Sequence, residues 1–258
     1  MKHAPIFLAI TVLTFSQSRS DAAVVLGTAA DFAVLAGSGI TNTGPTVING
    51  GHVGVSPGTA ITGFPPGIVM APHTIHAADA VALQAQSDLT TAYNTAAGLP
   101  PTQNLTGTDL GGLTLTPGVY FFASSAQLTG TLTLNFQGNP NAEFVFQIGS
   151  TLTTASNSSV FTEFGTTTLN CRVFWQVGSS ATLGTNTGFQ GHILAQTSIT
   201  MNTGATLDGS ALARNGAVTL DSNRITNTNC PIPEPGMMGL ALAAGILLKL
   251  RRSRPSIA

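Results

Sequence analysis

Apolar and polar side chains alternate in short runs along most of this chain, and one type of run recurs. Ser125-Ala-Gln-Leu-Thr129, Thr151-Leu-Thr-Thr154, Ser180-Ala-Thr-Leu183, Ser198-Ile-Thr-Met201 and Ala217-Val-Thr-Leu220 set small polar residues against small apolar ones. Strict alternation marks a half-buried strand whose successive side chains point to opposite faces. Stacked in register, the runs predict one outward column of Gln127, Thr153, Thr182, Thr200 and Thr219. A second column holds Ser125, Thr151, Ser180, Ser198 and Ala217. A surface of hydroxyls and methyls with almost no charge suits an ordered, repetitive target and offers little to catalysis.

The spacing of the runs predicts how they stack. Phe144-Val-Phe-Gln-Ile-Gly-Ser150 matches Val173-Phe-Trp-Gln-Val-Gly-Ser179 at an offset of 29, and Phe121-Phe-Ala-Ser-Ser125 falls in register 26 residues earlier. Further on, the interval is 18 residues from Leu183 to Met201 and 19 from Met201 to Leu220. Such steps fit one turn of a three-sided β-solenoid, with coils ~4.8 Å apart. A β-sandwich would also give many short strands, but not this repeat.

One segment follows a different period. Residues 73–97 contain no glycine or proline, and Ala78, Ala82, Ala85, Leu89, Tyr93 and Ala96 form a helical stripe. Gly98 and Pro100-Pro101 end it. A single helix with a narrow apolar face needs a surface to lie on, and the flank of the solenoid is the candidate. Before it, Phe32-Ala-Val-Leu35, Ile40-Thr-Asn-Thr43, Val53-Gly-Val55 and Thr59-Ala-Ile-Thr62 read as strands, the last with Ala60 and Thr62 on one face. The expectation is a mainly β, right-handed three-sided solenoid (a discontinuous β-helix) with one long α-helix packed along its side.

Charge narrows the function. Charged residues make up 7% of the 258, and between Asp21 and Cys230 three arginines face nine acids, a net −6 without any lysine. Phosphate neutralisation is therefore excluded as a binding mode, and with it nucleic acid as a partner. The remaining basic residues sit at the two ends. Lys2 and the apolar run from Ile6 to Phe15, followed by Ser20 and Ala22, read as a signal peptide over 1–22, cut after Ala22. Pro233-Glu-Pro235, an apolar stretch to Leu248 and Lys249, Arg251, Arg252 and Arg254 form a tail over 231–258.

That tail resembles the PEP-CTERM sorting signal of Gram-negative bacteria. The resemblance implies transient membrane anchoring, cutting near Pro-Glu-Pro by an exosortase-type enzyme, and delivery to the cell surface or the exopolysaccharide matrix. An ordinary C-terminal anchor is the alternative; both put the domain, residues 23–230, outside the cytoplasm. There Cys171 and Cys230 are expected to be bridged, closing a ~60-residue loop. Two isolated thiols are the other reading, and they have no metal-ligand spacing.

Coils, an inserted helix and further coils occur together with several motifs. These are Gly54-Val-Ser-Pro-Gly-Thr-Ala-Ile-Thr-Gly-Phe64, Asp88-Leu-Thr-Thr-Ala-Tyr-Asn94, Pro117-Gly-Val-Tyr120, Phe174-Trp-Gln-Val-Gly-Ser-Ser-Ala-Thr-Leu183 and Ala211-Leu-Ala-Arg-Asn-Gly-Ala-Val-Thr-Leu220. In this order, over about residues 24 to 230, they resemble the microbial discontinuous β-solenoid ice-binding proteins. The resemblance implies a non-enzymatic, cofactor-free, monomeric protein whose partner is the ice crystal surface.

Other chemistry finds less support. Gly54-Val-Ser-Pro-Gly58 has the G-x-S-x-G form of serine hydrolases, but Pro57, Gly58 and Thr59 lead into a strand-like run where a helix is required. His73, His76 and Asp79 share a spacing that could hold a metal at the helix start, without an evident fourth ligand. Asp208, Arg214, Asp221 and Arg224 fall on neighbouring turns as isolated acid–base pairs, read as surface or corner ion pairs rather than a lyase centre. The hydroxyl face remains. Outward groups ~6.6–6.8 Å apart along a strand and ~4.8 Å apart between coils form a lattice able to hold surface water in an ice-like pattern. Its expected members are Thr62, Thr129, Thr151, Thr153, Ser180, Thr182, Ser198, Thr200 and Thr219. Gln127 interrupts the main column, and Asn202 and Asp221 interrupt the one beside Thr129. An extracellular-matrix structural or adhesive protein with the same fold is the alternative.

Overall fold

The computed structural model describes residues 24–139, 141–163 and 172–227. The expected signal peptide, the sorting tail and the Cys171–Cys230 pair lie outside the described residues.

Three parallel sheets of nine, seven and eight strands form the sides of a β-solenoid. Its registers are those of the repeat. Phe146 pairs with Trp175, Phe121 with Gln147, Leu183 with Met201 and Met201 with Leu220. Inward side chains from all three sides fill one core. Because equivalent residues stack between coils, the aromatic ones form a ladder. Phe146 and Trp175 lie parallel at 3.8 Å, and Tyr120 continues the stack at 5.3 Å from Phe146.

Coils do not stack in the order in which the chain makes them. From one end the axial order runs through the coils at 103–115, 118–135, 144–163, 173–190, 192–208 and 211–226, then returns to 32–49 and 52–69, with 75–77 at the far edge. Phe32–Ala36 pairs with Ala211–Ala213, Gly39–Thr43 with Ala217–Asp221, and Val47–Asn49 with Arg224–Thr226. The chain therefore starts late in the stack, builds that end, and must then cross to the other.

The helix makes this crossing. Ala80–Gly98 has 19 residues, a length of ~28 Å, or about six coil spacings. It lies on the nine-stranded side, where Phe32, Leu35, Val145, Phe174, Leu194 and Leu212 pack against Ala85, Leu89, Ala92, Tyr93 and Ala96. Burial on both faces explains why Phe144–Ile148 and Val173–Val177 are apolar except at Gln147 and Gln176, with every residue buried. At the helix end, Gln147 Nε2 donates to the carbonyls of Ala96 and Leu99 at 2.8 Å each, satisfying acceptors the helix leaves open.

The helix starts later than the stripe predicts. Residues 75–77 instead form strand Ile75–Ala77, paired with Val53–Val55. Ala78 then takes a φ of 53°, and the Asp79 carboxylate accepts from the Ala82 N–H at 2.9 Å as N-cap. Helical spacing continues through 73–79 in the sequence, but an unpaired sheet edge and a capping aspartate set the boundary. Ala78 is exposed, His76 lies within the strand and His73 two residues before it, and neither rides on the helix.

Candidate functional site

The seven-stranded side carries the hydroxyl runs. Its rungs are Ala126–Leu128, Leu152–Thr154, Ala181–Leu183, Ile199–Met201, Ala217–Asp221, Gly39–Thr43 and Ala60–Thr62, in that axial order. Their alternation has the expected cause: Leu152 and Thr154 are buried and Thr153 exposed, and Ala181 and Leu183 are buried with Thr182 between them.

Register aligns Gln127, Thr153, Thr182, Thr200 and Thr219 as the sequence predicts. Two further threonines extend the column. Thr219 pairs with Thr41, and Thr41 with Thr62. The result is an unbroken row Thr153, Thr182, Thr200, Thr219, Thr41, Thr62, roughly 24 Å long at ~4.8 Å per rung. Thr41 is missing from the sequence-based site. Its signal was present in the alternation Ile40-Thr-Asn-Thr43, but the sequence does not say which coil that strand joins.

Among the described residues, no hydrogen bond engages the side-chain hydroxyls of Thr153, Thr182, Thr200, Thr219 or Thr41, whereas Thr62 Oγ1 reaches the Ile40 carbonyl at 3.4 Å. No charged residue belongs to the row. Charge begins beyond Gln127, where Asp109 bridges to it. Burial raises the Asp109 carboxyl, but the N–H groups of Gly111 and Thr129, at 2.7 and 2.9 Å, outweigh that and hold it below its ordinary range. The Gln127 end is thus anionic at neutral pH.

The neighbouring columns differ from the row. Thr151 Oγ1 donates to Ser125 Oγ at 2.8 Å, while Ser180 Oγ accepts from the Ser198 N–H and Ser198 Oγ from the Ala217 N–H, both at 3.3 Å. Thr151, Ser180 and Ser198 therefore spend hydrogen-bonding capacity on joining coils. Thr129 stands exposed at the Asp109 end, one column away from the row. On that side Asn202 is exposed, and Asp221 turns into the corner to accept from the hydroxyls of Thr203 and Ser222.

The alternative centres take other forms. Ser56 is buried in a corner between strands His52–Val55 and Ala60–Thr62, with no helix after it. Arg214 lies 4.5 Å over the Tyr93 ring and donates to Gln196 Oε1 at 2.6 Å. Like Asp221, it has neutral hydrogen-bond partners where the sequence suggests corner ion pairs. Parallel stacking places it beneath the helix, a position that sequence proximity to acids does not reveal. Asp208 and Arg224 do interact, on strands paired Thr206 to Arg224. His52, remote in sequence, joins His73 and His76.

Fold and face together define a discontinuous three-sided β-solenoid with one side paved by a single row of threonines. The sequence model of the family described as Ice-binding-like matches residues 34–226. An ice-binding protein of Nostoc sp. (strain HG1) is 55% identical over 252 residues, covering 94% of this chain and 91% of its own length. One from Colwellia sp. is 37% identical over 217 residues, covering 79% and 83%. The solved structure of an ice-binding protein from an Antarctic biological consortium superposes with a TM-score of 0.74 at 47% identity, covering 86% of this chain and 96% of that one. That of an ice-binding protein from the Antarctic ascomycete Antarctomyces psychrotrophicus gives 0.76 at 42%, covering 80% and 99%. The chain belongs to the Ice-binding-like family.

Proposed function

We propose that this protein adsorbs to ice through the threonine row, without catalysing a reaction. The observation that carries the proposal is the row itself. Six consecutive rungs present the same residue, none of them charged, on a rigid parallel sheet. Hydroxyls at fixed spacing anchor water, and the intervening methyls order it. Many weak contacts made at once hold a flat surface that no pocket could grip. The flanking positions Thr151, Ser180 and Ser198 widen the face, and Thr129 lies at its edge. In this reading the protein is exported by its N-terminal leader, and the C-terminal tail is processed by an exosortase-type enzyme that leaves the domain at the cell surface or in the exopolysaccharide matrix.

The test is recrystallisation inhibition and thermal hysteresis of the purified protein, with Thr182→Tyr and Thr200→Tyr as probes. Activity in the wild type that both folded variants lose supports the row. A wild type without activity overturns the ice reading, and two fully active variants move the site elsewhere.

A further inference from the structure

The coil that ends the threonine row also carries a cluster of histidines. That coil runs from His52–Val55 under the helix, through Ala60–Thr62 on the threonine side and Ile68–Val69 on the third side, to Ile75–Ala77. Pairing of Val53–Val55 with Ile75–Ala77 brings His52, His73 and His76 together. The His52 ring centroid lies 5.1 Å from that of His73 and 4.8 Å from that of His76, and the Phe32 ring packs on His52 and His76 at 5.6 and 5.7 Å.

Hydrogen bonding fixes the protonation this arrangement accepts. The Thr74 N–H donates to His52 Nδ1 at 3.0 Å, so that nitrogen must keep its lone pair. The Thr74 hydroxyl lies 3.2 Å from the same atom and 3.0 Å from His76 Nε2. His76 Nδ1 faces the Asp79 carboxylate at 2.7 Å. A proton on His52 Nδ1 would set N–H against N–H and place an imidazolium beside two more imidazoles.

Few charges are present to compensate. Asp79 at the helix start is engaged by His76, and Asp31, at the end of the 3-10 turn Gly27–Asp31, acts on His52 as the weakest influence. Between Asp31 and Asp79 the sequence has no Asp, Glu, Lys or Arg. Further along the helix, Asp88 is taken up by the Thr28 N–H and hydroxyl at 2.8 and 2.7 Å. Burial, and after it the neighbouring His76, holds His52 below the usual imidazole range.

We infer that His52, His73 and His76 form a pH-sensitive clasp on the terminal coil, closed while His52 is neutral and loosened by its protonation, and that the clasp sets the working length of the threonine row. The last clause rests on the ice-adsorption reading. Because folded His52 binds its proton less tightly than an unfolded imidazole, the closed coil keeps this stability above the ordinary imidazole range and loses it as pH falls. Opening removes Thr62 and leaves Thr41 at the edge of the row.

Amide exchange of the full protein tests the clasp, read as protection factors at pH 8 and pH 5 together with recrystallisation inhibition. Protection over residues 60–77 is expected to fall about tenfold on acidification, as the Thr74 N–H loses its His52 acceptor, while residues 181–220 hold steady. Ice activity should fall with it. The double variant His52→Gln, His73→Gln should change less than about twofold over the same range. If that variant does not fold, His73→Gln alone should show a reduced acid response. Equal protection of the wild-type coil at both pH values overturns the clasp and leaves the ice reading intact. Acid opening in a protein inactive on ice at either pH upholds the clasp and overturns the ice reading.

Discussion

Thr219 and Thr41 face each other on adjacent rungs, although one lies near the end of the described chain and the other near its beginning. Their pairing joins four threonines of the C-terminal coils to two of the N-terminal coils, and makes one continuous row from two pieces. Thr41 thus sits inside the row, not at its margin. Thr41→Tyr should therefore lower ice activity about fivefold or more by lifting a flat surface off its target at many contacts. Stability should change by no more than ~0.5 kcal/mol, since Thr41 is exposed. Thermal hysteresis and thermal unfolding measured on the same sample separate the two effects.

Gln127 is the next position in line beyond Thr153. Replacing it by Thr would extend the row by one rung towards Asp109 and remove an amide that projects from the face. Gln127→Thr is expected to raise recrystallisation inhibition, with stability unchanged or up to ~0.5 kcal/mol higher because Thr suits an exposed strand position. A dilution series of both proteins on the same ice checks it.

Leu89 is fully buried between the helix and the sheet. Leu89→Ala should cost about 2–4 kcal/mol, the sum of lost burial and an unfilled cavity, because the strands beneath cannot collapse to fill it. Urea unfolding would show this as a lower midpoint. The threonine face lies on a different side, so ice activity of the folded fraction should persist.

Glu143 gives a pH dependence of opposite sign to that of the histidine cluster. Its carboxylate accepts from the Val24 N–H at 3.2 Å, and burial pushes its pKa from 4.5 up to about 7 against that hydrogen bond and the Arg172 charge. The folded state therefore holds the proton more tightly than the unfolded one. Stability from this group is complete below pH 4.5 and is lost as pH rises to about 7. Glu143→Gln should remove that loss, about 2 kcal/mol after allowance for partial exposure. Unfolding free energies at pH 4.5, 6 and 8 for both proteins would reveal the difference in slope.

Much of the fold is legible in the chain. Alternation with a period of two places Leu152, Ala181 and Ile199 inside and Thr153, Thr182 and Thr200 outside. The offset between Phe144–Ile148 and Val173–Val177 anticipates the register in which they pair. Both are local or nearly local signals, set by backbone geometry and by which residues repeat. The helix start was less legible because the stripe says nothing of the sheet edge that claims Ile75–Ala77, or of Asp79 as a cap. The commitments of the serine hydroxyls to neighbouring coils were also hidden, since they depend on which backbone N–H lies across the stack.

The sequence by itself determined the alternating strands, the coil repeat, the uncharged hydroxyl side and the helix as a separate element, because each depends on side chains a few residues or one repeat apart. Only the tertiary structure decided the order of the coils. Parallel ladders hydrogen-bond through backbone groups that every residue possesses, so the alternation of Gly39–Thr43 does not encode Ala217–Asp221 as its partner. Burial beneath a helix long enough to span the stack places those coils together. The same stacking of coils completes the threonine row, and the edge pairing of Val53–Val55 with Ile75–Ala77 gathers His52, His73 and His76 at its end.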